Sequence, residues 1–225
     1  MDNVEDNVEK KTGNPAWYLS GIPAVVLLLV MAACLWSPPT LDAYIIMYKE
    51  QYYRLFHVHH NQYPDDTMEN IFWLEQALKA NFANPLYALA RIETEEQYEK
   101  YCYLFMMHLN LKMTEQYIYL ANKFNKRRAY FFNAPWKEEN LKSLDIAEKY
   151  FEAAGHYWTE AFSWAEKARD RRFRFMRLER IEFWEDQALR IIELRTLDYG
   201  KTLSRELTML RSVREQFQAM EGPTD

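Results

Sequence analysis

The chain has 225 residues, a formal net charge of −5 and an aromatic content of 16%. That acidic balance gives no global nucleic-acid footprint, and the aromatic load requires either a large core or broad contact surfaces. Beyond residue 36 the only glycines are Gly155, Gly200 and Gly222, too few for a glycine-rich phosphate loop or a nucleophile elbow.

Residues 1–16 form an acidic leader, with Asp2, Glu5, Asp6 and Glu9 against Lys10 and Lys11. Residues 17–36, WYLSGIPAVVLLLVMAACLW, carry no charge. At about 1.5 Å per helical residue they reach roughly 30 Å, the thickness of a bilayer's hydrocarbon core. Trp17 and Tyr18 at one end and Trp36 at the other suit the headgroup region. The segment reads as an uncleaved transmembrane helix, because a cleaved signal peptide would have a basic leader and a shorter apolar stretch. Met31-Ala32-Ala33-Cys34 also resembles a lipoprotein processing site, which would make Cys34 a lipid attachment point; the plainer reading of Cys34 is a small apolar residue in a membrane helix. Lys10 and Lys11 precede the span and no base follows until Lys49, so the N-terminus stays cytoplasmic and the body is exported. In a bacterium this places a single-pass anchor in the inner membrane and the body in the periplasm. Cys102 alone in the body excludes an intrachain disulfide there.

The body shows no alternating β-branched runs and no Asn-Gly or Asp-Gly turns, so the fold class is all-α. Residues 37–65 form a membrane-proximal amphipathic helix, broken from the span by Pro38-Pro39 and carrying Tyr44, Ile45, Tyr48, Tyr52, Leu55 and Phe56 on one face. Residues 66–170 form a set of helices joined by short turns. Asp66 with Glu69 opens the first, whose stripe is Ile71, Leu74, Ala77 and Leu78. Asn84-Pro85 opens a short helix. Thr94 with Gln97 caps another, carrying Tyr98, Cys102, Phe105 and Leu109, and Thr114 caps the next. Asn133-Ala134-Pro135 restarts the chain into Leu141, Leu144, Ala147, Phe151 and Ala154, and Gly155 suits a helix end. Trp158, Ala161, Ala165 and Ala168 line the last. Residues 171–220 read as one long helix or a helical hairpin, with Tyr199-Gly200 as a C-cap or a kink, and 221–225 as a tail.

Laid on these helices, the tetratricopeptide pattern matches Leu74, Ala77, Leu78, Tyr87 and Ala90 in one unit. Leu104, Met107, His108, Leu111, Tyr117, Leu120 and Phe124 match a second, and Trp158, Ala161 and Ala168 match part of a third. The array is a degenerate, tetratricopeptide-like set of hairpins, because its offsets depart from the usual period of about 34 residues.

Three constellations bear on chemistry. His57, His59 and His60 are metal-like, but no HExxH spacing completes a zinc site, and exposed histidines at a helix end is the plainer reading. Arg169, Arg171, Arg172, Arg174, Arg177 and Arg180 are six arginines within twelve residues, interleaved with Phe173 and Phe175. They form either a solvated helix face or a docking site for an acidic partner; anionic lipid requires the stretch to fold back to the membrane. The clusters YEKYCYLF and RRAYFF read first as core. Tyr98, Tyr101 and Tyr103 cannot all face one side of a helix, so some of them are contact candidates together with Arg169, Arg171, Arg172, Arg174 and Arg177. No Ser/His/Asp or Cys/His arrangement points to catalysis.

From FANPLYALARIETEEQYEKYCYLFMMHLNLKMTEQYIYLANKF to NAPWKEENLKSLDIAEKYFEAAGHYWTEAFSWAEKA, the body resembles the membrane-anchored, tetratricopeptide-like collar proteins of spirochaete periplasmic flagellar motors. The resemblance implies an N-terminal anchor, a helical periplasmic module and assembly in many copies with other collar proteins. No functional residues carry over, because such proteins act through surfaces. The expectation is a non-enzymatic structural subunit with no cofactor and no catalytic or metal residues, whose partners are other subunits and the bilayer, not nucleic acid. The alternative is a periplasmic adaptor or regulator that recruits a peptide or protein transiently; a metal enzyme built on the histidines stands third.

Overall fold

A computed structural model of the chain describes residues 45–220. The expected tail 1–16, the transmembrane helix 17–36 with Trp17, Tyr18, Cys34 and Trp36, and the tail 221–225 lie outside the described residues. Among the described residues no helix is long and apolar enough to cross a membrane.

The body is all-helical, with six helices and no strands among the described residues. Helix α1 spans Lys49–Gln62, α2 Thr67–Lys79, α3 Glu95–Phe124, α4 Lys137–Ala168, α5 Glu182–Ile192 and α6 Tyr199–Ala219. Short 3-10 turns occur at Pro85–Tyr87, Phe131–Trp136 and Arg171–Phe173.

Helix α1 starts later than its hydrophobic pattern predicts. Tyr48 is extended and bridges Asn81, and the Gln51 side chain accepts from the Met47 and Tyr48 N–H groups at 2.8 and 3.0 Å, closing the N-terminus. The buried positions are Lys49, Glu50, Tyr53 and Phe56, a face that shares only Phe56 with the predicted stripe. Asp66 caps α2 as its position predicts, accepting from the Glu69 N–H at 3.3 Å. Asn84 caps only a three-residue turn, not a helix.

Helix α3 is the central element. Thr94 and Gln97 form the predicted reciprocal cap, but Thr114 starts nothing: its buried hydroxyl donates to the Asn110 carbonyl at 2.9 Å, one turn back in the same helix. Tyr101, Leu104, Phe105, Met107, Leu109, Leu111 and Met113 are all fully buried, which places helices on several sides of α3. Helix α4 runs through Gly155 without a break. Its buried side is Leu144, Ala147, Phe151, Ala154, Ala161, Ala165 and Ala168, and the alanines let it lie close along α3. The two helices are antiparallel, with Tyr103 against Trp164 and Tyr117 against Tyr157. Because both are continuous, the second and third tetratricopeptide-like units do not break into helix pairs at Thr114 and Gly155.

Residues 171–220, expected as one long helix or a helical hairpin, form two separate helices packed on other elements. Residues 174–181 are irregular, α5 packs on α3 and α4, and α6 packs on α4. Asp198 caps α6 by accepting from the Lys201 N–H at 2.9 Å, so Tyr199-Gly200 opens a helix instead of ending one. Two apolar clusters result. Tyr53, Phe56, Leu74, Tyr101, Phe105, Leu178 and Trp184 belong to the first, and Leu144, Phe151, Leu203, Leu210 and Phe217 to the second.

Candidate functional site

The arginine stretch forms no helix face. Asp170 follows the end of α4 and accepts from the Arg172 N–H at 3.0 Å, turning the chain across the start of α3. Phe173 and Leu178 drop into the core and pin the loop from both sides. Between them Met176 presents its carbonyl to the buried Lys100 ammonium, which also holds Glu185 of α5. Lys100 thus fastens α3, the loop and α5 at one point.

This anchoring divides the arginines. Arg169 pairs with Glu193. Arg172 makes a bidentate contact to Glu99 at 2.8 and 2.6 Å and lies over the Phe173 ring. The Tyr103 hydroxyl also donates to Glu99, at 2.6 Å. These hydrogen bonds, from Tyr103 first and then Arg172, hold the Glu99 carboxyl below its ordinary pKa. Arg169 and Arg172 therefore both take part in holding the fold. Arg171, Arg174, Arg177 and Arg180 remain exposed, and none makes an ion pair among the described residues. Beside them Phe175 is 93% exposed.

Of the three tyrosines, Tyr101 is corrected outright. It is fully buried, and its hydroxyl donates to Glu50 Oε1 at 2.9 Å; burial, reinforced by the Glu50 charge, pushes its pKa well above the ordinary range. Tyr98 is half-buried and donates to the Ala83 carbonyl at 2.9 Å, and Tyr103 is committed to Glu99. The thiol of Cys102 in the same turn is pushed up to about 12 by burial, which keeps it protonated and unreactive at neutral pH.

Two buried polar networks have no signature in the sequence pattern. Lys49 donates to the Ala77 and Leu78 carbonyls at 3.0 and 2.6 Å, at the C-terminal end of α2 where the helix dipole favours a cation. Its neighbour Glu50 accepts from Tyr101 and from the Ala83 N–H at 2.9 Å. Deeper, His108 lies between Tyr53, 2.8 Å from Nε2, and Gln187, whose Oε1 is 2.8 Å from Nδ1. Gln187 presents a carbonyl oxygen, so the ring proton sits on Nδ1 and Nε2 accepts from the Tyr53 hydroxyl. Burial lowers the His108 pKa to about 3, and the neutral imidazole stacks on Trp184 at 4.9 Å. Sequence patterning hides such groups, since a lone lysine, glutamate or histidine reads as surface.

His57, His59 and His60 do not converge. His59 and His60 share Asn70 as a partner at 3.0 and 3.3 Å, while the His57 ring lies against Tyr53. Among the described residues no group of three or more His, Cys, Asp or Glu side chains is placed to hold a metal ion.

The RRAYFF cluster is exposed, not core. After α3 the chain presents Arg127, Arg128, Tyr130, Phe131, Phe132 and Trp136 on the turn into α4. Tyr130 and Phe132 stack at 5.1 Å, and Phe131 packs edge-on against Phe132.

Residues 96–220 match the family described as a domain of unknown function (DUF8513). The chain belongs to the DUF8513 family. The matched DUF8513 region takes in α3 to α6, the exposed arginines and the aromatic turn, and leaves out α1 and α2 with the histidines. No curated protein and no solved structure matches the chain.

Proposed function

We propose that the chain is a non-enzymatic, membrane-anchored structural subunit that works through protein contacts in the periplasm. The carrying observation is the aromatic turn after α3. Phe131 is 87% exposed and Trp136 58% exposed, beside Tyr130, Phe132 and the exposed Arg128, while Arg127 holds Glu206 at 2.7 Å. Tyr, Trp, Phe and Arg together are the residue types favoured at protein interfaces, and exposed apolar surface of this kind marks an interaction site. The buried polar groups support the same reading: Lys49, Glu50, Lys100 and His108 each serve to hold helices together. With the charge-free run 17–36 as anchor, the all-helical body is the kind of module found in the flagellar collar proteins that the sequence resembles, and the partners under this proposal are other collar subunits, in a multi-copy assembly.

Crosslinking in intact cells tests the proposal, comparing the natural chain with Phe131→Ser/Trp136→Ser. A large, stable assembly that the double substitution dissolves is the expected result. Small amounts of exchangeable partners would favour the adaptor instead, and an assembly unaffected by the substitutions would remove the aromatic turn from the interface.

A further inference from the structure

We propose that the aromatic turn docks on a second copy of this chain: the first half of α4 lies antiparallel to its counterpart, and Trp136 of each copy enters the groove beside Tyr150 of the other. The inference deepens the proposed function and rests on its reading of the turn as an interface.

Helix α4 leaves the turn with one side uncovered. Glu138, Lys142, Asp145 and Lys149 recur every three or four residues, so they share a face, and all four are exposed. Their signs alternate along the helix: acid, base, acid, base. Let two such faces meet antiparallel about a twofold axis midway between residues 143 and 144. Glu138 then falls opposite Lys149 and Lys142 opposite Asp145, each pair made twice. A parallel arrangement sets like charges against like. Glu138, Lys142 and Lys149 make no ion pair among the described residues, and Asp145 uses one carboxylate oxygen on Arg214. Of the other charges on this half of α4, Glu148 is held by Arg211 and Arg214, and Glu139 adds an acid at the end that meets Lys149.

The same register brings apolar parts together. The point midway between Trp136 and Tyr150 is residue 143, so the axis that pairs the charges also sets Trp136 of one copy against Tyr150 of the other. Tyr150 forms one wall of a groove of about 260 Å³ between α4 and α2, lined also by Met68, Ile71, Phe72 and Leu120. Its charged lining residue, Glu75, binds Lys79 at 3.4 Å. An exposed indole entering such a groove is the kind of anchor that carries most of an interface's energy. Ile146, also exposed, lies on α4 between the two sites. A standard interface takes about 800 Å² from each partner, and an aromatic side chain buries roughly 150–250 Å². Trp136, Phe131 and Phe132, each more than half exposed, with Met68 and Phe72 at the groove, offer apolar area on that scale. A twofold contact closes on itself, which makes a dimer the building unit of the larger assembly.

The test measures the mass of the full chain in detergent micelles against concentration, by light scattering under reducing conditions. The natural chain should form dimers. Glu138→Lys and Lys149→Glu should each weaken the dimer about tenfold or more, because either one makes two of the four pairs repulsive. Mixed one to one, the two variants should recover it, since a mixed pair again sets acid against base at both places. The doubly substituted chain should recover it as well. Trp136→Ser should weaken the dimer with every charge intact. All three side chains are exposed, so thermal melts run alongside should show each variant folded. A chain that stays monomeric while its cellular crosslinks still require Phe131 and Trp136 overturns the inference and leaves the turn as an interface with a different protein. A dimer that none of the substitutions weakens overturns it by placing the contact elsewhere. Single variants that fail to rescue each other exclude the twofold register. A monomeric chain whose crosslinks ignore the turn overturns both readings.

Discussion

The two halves of the core solve the same packing problem with different chemistry. Around α1, α3 and α5 the interior mixes rings with polar groups: Trp184 stacks on Phe105 at 5.1 Å and on His108, while Lys49, Glu50 and Lys100 are buried within the same region. Between α4 and α6 the interior is aliphatic and phenyl, with one buried carboxylate, Glu206, held by Arg127 at 2.7 Å, while Arg214 binds Asp145 and Glu148 at 2.9 and 2.7 Å. Apolar burial is non-directional and tolerant of small shifts. Buried hydrogen-bonded charges are directional, and each is costly when a partner is lost. The first half therefore holds more of these directional contacts, and it is the half that fastens the arginine loop.

The largest effect should come from breaking the buried contacts of Lys100. Lys100→Ala strands the Glu185 carboxylate and the Met176 carbonyl, and the loss should be on the order of 3–5 kcal/mol. Denaturant unfolding of the full chain in detergent micelles measures it. Lys100→Met/Glu185→Met should recover most of the loss, since a buried pair replaced by apolar groups of similar volume is close to neutral. A double variant as weak as the single would show that the pair itself is indispensable. In the other half, Leu210 is fully buried, and Leu210→Ala should cost about 2–5 kcal/mol through lost burial and a cavity. That loss should be the same at every pH between 5 and 8, unlike losses in the first half.

The pH response sharpens the contrast. His108 has its pKa lowered to about 3 by burial, below its unfolded value of 6.5, so the unfolded chain binds the proton first. Its contribution is fully present above pH 6.5 and is lost as pH falls from there toward 3, by up to about 1.4 kcal/mol per pH unit. Burial also lowers His57 and His60, with the same sign and, since both are more exposed, a smaller slope. His108→Gln should flatten the dependence of stability on pH between 7 and 5. An unchanged slope would assign it to groups other than His108.

Local signals were legible and long-range ones were not. The caps at Asp66 and Thr94 and the restart at Pro135 could be read because each acts within a few residues of itself. Thr114 misled because a threonine hydroxyl that favours a helix start is equally satisfied by the carbonyl one turn back. Composition drew attention to the arginines, but which of them face outward was set by Glu99, which lies 73 residues from Arg172. The YEKYCYLF tyrosines and the RRAYFF ring cluster look alike as strings. One lies in the most enclosed helix and the other on a turn, and only the pairing of α3 with α4 separates them.

The smallest effect concerns the two described glycines, both helical and both overruled as helix ends. A glycine within a helix costs roughly 0.5–1 kcal/mol relative to alanine because it loses more backbone freedom. At Gly155 an added Cβ would meet nothing within 4 Å, so Gly155→Ala should raise stability by about that amount. At Gly200 the same atom would lie 3.0 Å from Trp158 Nε1 and 3.2 Å from the capping Asp198 carboxylate, so the propensity gain is offset by crowding at the start of α6. Thermal melts of the two variants side by side should show Gly155→Ala above the natural chain and Gly200→Ala at or below it. A gain at Gly200 equal to that at Gly155 would mean that the Trp158 ring moves freely. The contact between α4 and the first turn of α6 would then be softer than its geometry implies, even though the core behind it is closely packed.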